Sequence, residues 1–182
     1  VYYHPDSDTK VTVRDVVSRV VEQCTREDIP LFLEPIAFSP DERRPLTSAE
    51  LRAVVVDSAK TFSALGVDIL KLQFPLDVRE TPNTGDWRAA LAEVDAACAV
   101  PWALLSAGVD YDTFYRQSEL ACAAGASGVI VGRAVWAEAT QLQGAARDEF
   151  LRGVALQRMS ELAALCASLA QDWRTRVTPP DF

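Results

Sequence analysis

The sequence predicts a parallel α/β fold, either a sheet covered on both faces or one closed into a barrel. Three observations carry this reading. Short apolar runs alternate with segments of helical periodicity along the whole chain. No hairpin signal joins any two of those runs. The runs are nearly continuous in their apolar character rather than alternating, as strands buried on both faces are.

The elements follow in order. Val1-Tyr2-Tyr3 reads as the end of a strand, and His4–Asp8 as a polar loop. From Thr12 to about Arg26, Val13, Val16, Val17, Val20, Val21 and Cys24 keep helical spacing. Ile29–Glu34 is a strand ending in a carboxylate, and Pro35–Pro45 a loop rich in proline and charge. Thr47 or Ser48 can cap the next helix, with Glu50 in support and Gly66 at its end. Val67–Pro75 is a strand with Lys71 in its middle. A Thr81–Gly85 loop leads to a helix from about Trp87 to Ala99. Trp102–Ser106 is a strand that Ala107-Gly108 turns into a helix opened by Asp110. Gly128–Val131 is the last strand; Gly132-Arg133 and a helical remainder to about Trp173 follow, with a frayed tail at Thr178–Phe182. That makes five strands, each with a following helix, and no linker divides them.

Composition narrows the function. A net charge of -8 argues against a general binder of nucleic acid or of an anionic membrane, though a local site for a small anion is compatible with it. No window is apolar and long enough for a transmembrane helix, and no signal peptide stands out, so a cytoplasmic location is expected. The four cysteines show no metal or CxxC spacing and read as small core residues in a reducing compartment. His4 is the single histidine, which leaves no basis for a His-based metal site or a Ser-His-Asp triad.

The chemistry collects at the carboxyl ends of the strands: Glu34, Lys71 with Gln73, Ser106, and Gly132-Arg133. In a (β/α) barrel this is the face where active sites form. Only three lysines stand against fifteen arginines, so a lysine inside a strand is conspicuous. Burial disfavours an ammonium, and a neutral amine is a nucleophile towards carbonyls. The plain alternative is a lysine at a strand end whose ammonium reaches water. Glu34 and Lys71 on neighbouring strands are either a satisfied ion pair or an acid/base beside an amine nucleophile. Ser106-Ala107-Gly108 and Gly132-Arg133, each before a helix, have the make-up of a phosphate cradle.

Together, Tyr2-Tyr3 with Pro5-Asp6 after it, Ile29-Pro30-Leu31-Phe32-Leu33-Glu34, Val67-Asp68-Ile69-Leu70-Lys71, Leu105-Ser106-Ala107-Gly108-Val109 and Gly132-Arg133-Ala134-Val135-Trp136 resemble the tagatose 1,6-bisphosphate aldolase family. Its close relatives include sulfofructosephosphate aldolases. The resemblance implies a TIM (β/α)8 barrel, of which residues 1–182 supply about strands four to eight as the C-terminal portion of one domain. It implies Lys71 as the Schiff-base lysine and Glu34 as the acid/base glutamate. Ser106, Gly108, Gly132 and Arg133 become the phosphate-binding groups, with Gln73 in the substrate-binding set. The implied activity is that of a class I aldolase, a lyase of carbohydrate metabolism that needs no metal or other cofactor. Its partner is a phosphorylated ketose, with neither nucleic acid nor membrane involved, and a homo-oligomer is compatible. A sulfosugar-phosphate aldolase, a sugar-phosphate-binding regulator on the same fold, and an α/β domain with a merely structural Lys71–Glu34 pair are the alternatives.

Val1-Tyr2-Tyr3 matches the family's fourth strand, so three βα units and a family lysine just before the Tyr-Tyr pair have no counterpart. A longer parent chain is therefore expected. So is an open arc in which the first strand pairs only towards Leu31–Glu34, the last only towards Trp102–Leu105, and apolar side chains are exposed between them.

Overall fold

Parallel pairing sets the architecture. A computed structural model describes residues 1–177, and the tail expected to fray lies outside the described residues. Strand β1 (Tyr2–Tyr3) precedes helix α1 (Lys10–Arg26), and β2 (Phe32–Leu33) and β3 (Ile36–Ala37) precede α2 (Ser48–Ser63). Then come β4 (Ile69–Leu72), α3 (Thr84–Ala97), β5 (Trp102–Leu105), α4 (Tyr111–Ala124) and β6 (Gly128–Ile130). The sheet order is β2-β4-β5-β6, and β1 pairs with β3. Every one of these pairings is parallel.

The strand expected at Ile29–Glu34 is corrected in one respect. It is in register with β4 only as far as Leu33 opposite Leu70, and then continues past Pro35 into β3, which pairs with β1. Proline has no N–H to give to a ladder, so the stretch changes partners there. The Val1 nitrogen donates to the Glu34 carbonyl at 2.8 Å, and the Ile36 N–H donates to the Val1 carbonyl at 2.7 Å. The described strands thus form an arc with β1 at one edge and β6 at the other, as expected.

Side chains alternate across the sheet. Leu33, Leu70, Leu72, Trp102 and Leu104 point to the helical layer, where the fully buried Phe62, Leu91 and Phe114 complete the core. The helices stop and start where their caps dictate. Thr47 and Glu50 form a reciprocal capping box on α2, Asn83 caps α3, and Asp110 caps α4 by accepting from the Thr113 N–H. The opposite, concave face is not covered. Phe32 there is 54% exposed, so β2 is apolar on both faces yet buried on one. The helical remainder consists of α5 (Arg133–Trp136), a 3-10 turn (Ala137–Gln141), α6 (Gly144–Phe150), a π turn (Leu151–Ala155), α7 (Leu156–Leu169) and a final 3-10 turn (Trp173–Arg176). Among the described residues no helix is long and apolar enough to cross a membrane.

Asp95 ties this last segment down at the amino end of the strands. Its carboxylate accepts from the Trp102 indole N–H at 2.9 Å and from Arg176 at 2.5 Å, and Arg176 also donates to the Cys98 carbonyl at 3.0 Å. Burial in the same corner pushes the Cys98 thiol up to about 12. Gly125 ends α4 directly over Asp95, at φ +125°, and a Cβ there would overlap the carboxylate. Gly125→Ala is therefore expected to cost about 1–3 kcal/mol from backbone strain alone, with Asp95 displaced as well. Gly153→Ala, where an added methyl meets open space inside a helical run, should instead be neutral or stabilise by up to about 1 kcal/mol. Urea unfolding of the two variants measures both.

Candidate active site

Lys71 is the third residue of β4, and its register partner on β5 is Ala103. The small neighbour leaves room for the amine on the concave face. Its Nζ donates to Glu34 Oε2 at 2.8 Å. The Lys71 side chain is 25% exposed and that of Glu34 40%. The pair therefore stands at the mouth of the arc rather than in the core, nearer to the alternative of an ammonium that reaches water than to a fully buried amine. The physical reason is the open concave face above Phe32 and Ile69.

A cleft of about 520 Å³ opens around the pair. Glu34, Lys71, Gln73, Ser106, Gly132 and Arg133 all line it, so six of the seven residues singled out from the sequence come together. Gly108 is the exception. It lines a neighbouring hollow of about 630 Å³, which shares Gln73 and Ala107 with the cleft. Its place is behind Arg133: a Cβ on Gly108 would lie 3.3 Å from Arg133 Nη2. Gly108 thus lets the guanidinium lie close to the β5–α4 turn. That turn is tight, with the Val109 N–H donating to the Ser106 carbonyl at 3.1 Å and with Ala107 at φ +48° and Gly108 at φ +80°. A non-glycine residue in the left-handed region is uncommon, and such residues gather at functional sites.

Of the two cations in the cleft, Lys71 is paired with Glu34, whereas Arg133 is exposed and has no ion pair among the described residues, so its charge is available to an anion. Helix α5 behind Gly132 has only four residues, so the anion-attracting group at this end is the guanidinium rather than a long helix dipole. Asp110, next to the same turn, has its carboxyl held below the usual range by the Thr113 N–H and hydroxyl.

The lining residues that carry no site role in the sequence reading are Ile36, in the stretch expected as loop, Ala107, in the turn, Trp136, in the last motif, and the strand residues Leu105, Ile130 and Val131. A second hollow of about 710 Å³ lies at the amino ends of the strands, lined by Phe32, Ile69, Ala103, Val129 and Trp173 among others. It is larger, but it holds none of the predicted site residues.

A one-directional arc of βα units with a lysine–carboxylate pair and a free arginine at its carboxyl edge defines a barrel-type protein with a lysine-centred site. A family model described as DeoC/LacD family aldolase matches residues 1–138, and the chain belongs to that family. It is 31% identical to tagatose 1,6-diphosphate aldolase 2 of Streptococcus mutans serotype c, over 97% of this chain and 60% of that one. It is 32% identical to the protein of the same name from Streptococcus agalactiae serotype III, over 97% and 61%. The chain thus spans about 60% of the length of the curated relatives it matches. Among solved structures it resembles an archaeal fructose-1,6-bisphosphate aldolase whose catalytic Lys is covalently bound to the carbinolamine intermediate of the substrate. That likeness has a TM-score of 0.62 at 22% identity, covering 91% of this chain and 56% of the other. The fructose-bisphosphate aldolase of Slackia heliotrinireducens gives 0.58 at 16%. These likenesses establish the fold, a partial TIM barrel.

Because the ion pair is partly exposed, its contribution to stability is small. Glu34→Gln is expected to lower unfolding free energy by about 1 kcal/mol or less, well short of the loss on breaking a buried pair. Chemical denaturation of variant and parent at one ionic strength tests this.

Proposed function

We propose that this protein is a class I aldolase that cleaves a phosphorylated ketose, tagatose 1,6-bisphosphate, into dihydroxyacetone phosphate and glyceraldehyde 3-phosphate. The observation that carries the reading is the 2.8 Å contact between Lys71 Nζ and Glu34 in a cleft that also holds an unpaired arginine. A lysine must shed a proton before it can attack a carbonyl, and Glu34 is the group in contact with it that can accept one. The family relationship and the names of the relatives support the choice of reaction and substrate.

In this reading the Lys71 amine adds to the ketose C2 carbonyl, and loss of water from the adduct leaves a protonated imine. A base, Glu34 or a water it orients, takes the proton of the C4 hydroxyl. The C4 oxygen becomes the aldehyde carbonyl as the C3–C4 bond breaks. The electron pair of that bond moves into the imine and leaves an enamine on Lys71. Glyceraldehyde 3-phosphate departs. Protonation at C3 and addition of water then release dihydroxyacetone phosphate and free the amine. Arg133 and the Ser106–Ala107 turn hold one phosphate, which fixes C2 near the amine, and positioning of this kind is a large part of any such rate enhancement.

Dihydroxyacetone phosphate with borohydride should leave a stable adduct on Lys71 of the intact protein, read by peptide mass spectrometry. An adduct on Lys10 or Lys60 instead, or none in an active preparation, would falsify the mechanism. Glu34→Gln should lower kcat by about 10²–10⁴-fold while trapping persists. Arg133→Ala should weaken phosphorylated ketoses and spare adduct formation with unphosphorylated dihydroxyacetone. Equal loss with both ligands would remove Arg133 from the phosphate subsite.

A further inference from the structure

Gln73 sits two residues beyond Lys71 on the same face of its strand, about 6.6 Å further along. The sequence placed it with the substrate-binding groups, but its side chain is already engaged. Gln73 Oε1 accepts the backbone N–H of Ala37 at 2.6 Å. The donor is a main-chain N–H, which can only donate, so the carboxamide oxygen is the atom facing Ala37 and the orientation of the group follows.

What this contact replaces is strand pairing. The stretch that carries Glu34 is in register with β4 through Phe32–Ile69 and Leu33–Leu70, and among the described residues that pairing goes no further. Pro35 follows Glu34, and Ile36 and Ala37 then pair away from β4, with Tyr2 and Tyr3. Beyond Leu33, two side-chain bonds join this stretch to the Lys71 strand. One is the Lys71–Glu34 pair itself, and the other is Gln73–Ala37. Without the second, Glu34 would stand on a segment anchored to β4 only below it and free to swing with β1.

We propose that Gln73 is a positioning residue: its carboxamide stands in for the strand pairing that Pro35 interrupts, and so holds Glu34 against Lys71. The kinetic side of this proposal rests on the aldolase reading above; the structural side does not. A glutamate at this position could accept the same N–H, whereas a leucine could not.

The test compares Gln73→Leu and Gln73→Glu with the parent in the intact protein. Hydrogen exchange at the Ala37 amide, kcat, KM and borohydride trapping at Lys71 are the readouts. Gln73→Leu should speed Ala37 exchange at least about 10-fold, since a weakened tie lets that segment open locally. It should lower kcat by about 10–100-fold, the range for a reacting group moved by an ångström or less. KM should change by less than about 3-fold, because no ground-state contact to substrate is lost. Gln73→Glu should restore both exchange protection and kcat. Unchanged Ala37 exchange in Gln73→Leu would overturn the proposal, as would a rise in KM alone or a glutamate that fails to rescue. If Gln73→Leu does not fold, Gln73→Asn, whose shorter amide falls short of Ala37, serves for the same comparison. A parent that traps no adduct sinks the aldolase reading instead, and the exchange data then decide the tie by themselves.

Discussion

One-directional strand pairing is the constraint on which the rest of the cleft depends. Because β2, β4, β5 and β6 all run the same way, their carboxyl ends fall on one edge, and residues far apart in sequence arrive there together. Register does the finer work. Lys71 lies opposite Ala103, and Ala103 opposite Gly128, so the row beside the amine is built from small side chains. A shift of β4 by a single residue would turn Lys71 into the helical layer and a leucine into the cleft. The apolar contacts of Leu70, Leu72, Trp102 and Leu104 with the helices forbid that shift, so the core fixes the site.

Against this regular frame, the site's polar geometry depends on two local irregularities. The first is the break at Glu34-Pro35, where the chain leaves one neighbour for another. The second is the β5–α4 turn, where Ala107 takes a positive φ and Gly108 makes room for the Arg133 guanidinium. Each places a functional group where regular pairing would not: the carboxylate beside the amine in one case, the guanidinium close over the turn in the other.

Much of this could be read in advance from residue pattern. Apolar runs of four or more, such as Trp102–Leu105, announced strands, and capping residues such as Thr47, Asn83 and Asp110 marked helix starts, because both signals are local. The strand-end position of Lys71, Glu34, Ser106 and Arg133 followed from the same periodicity. What could not be read depends on contacts at a distance. Nothing in Ile36-Ala37 says that its partner is Tyr2-Tyr3, and nothing in Gln73 says that its oxygen belongs to Ala37, 36 residues earlier. The choice between a buried and a water-reaching Lys71 stays open at the level of sequence for a similar reason, since an apolar strand reveals its composition but not whether a layer covers its second face. The helical remainder was legible as helical, but the π turn at Leu151–Ala155 that interrupts it left no compositional mark.

The four tryptophans divide in a way that gives the molecule its own optical reporters. Trp87 and Trp102 are packed in the core, at 4% and 0% exposure. Trp136 stands in the cleft and Trp173 in the hollow at the other end of the strands, both about half exposed. An indole shielded from water emits further to the blue than one that is wet, so the core pair and the surface pair contribute separable bands. Quenching by a small soluble agent reaches the second pair first. Occupation of the cleft would perturb Trp136 and leave Trp173 dark to the change, so light emission alone can tell which end of the arc a molecule has entered.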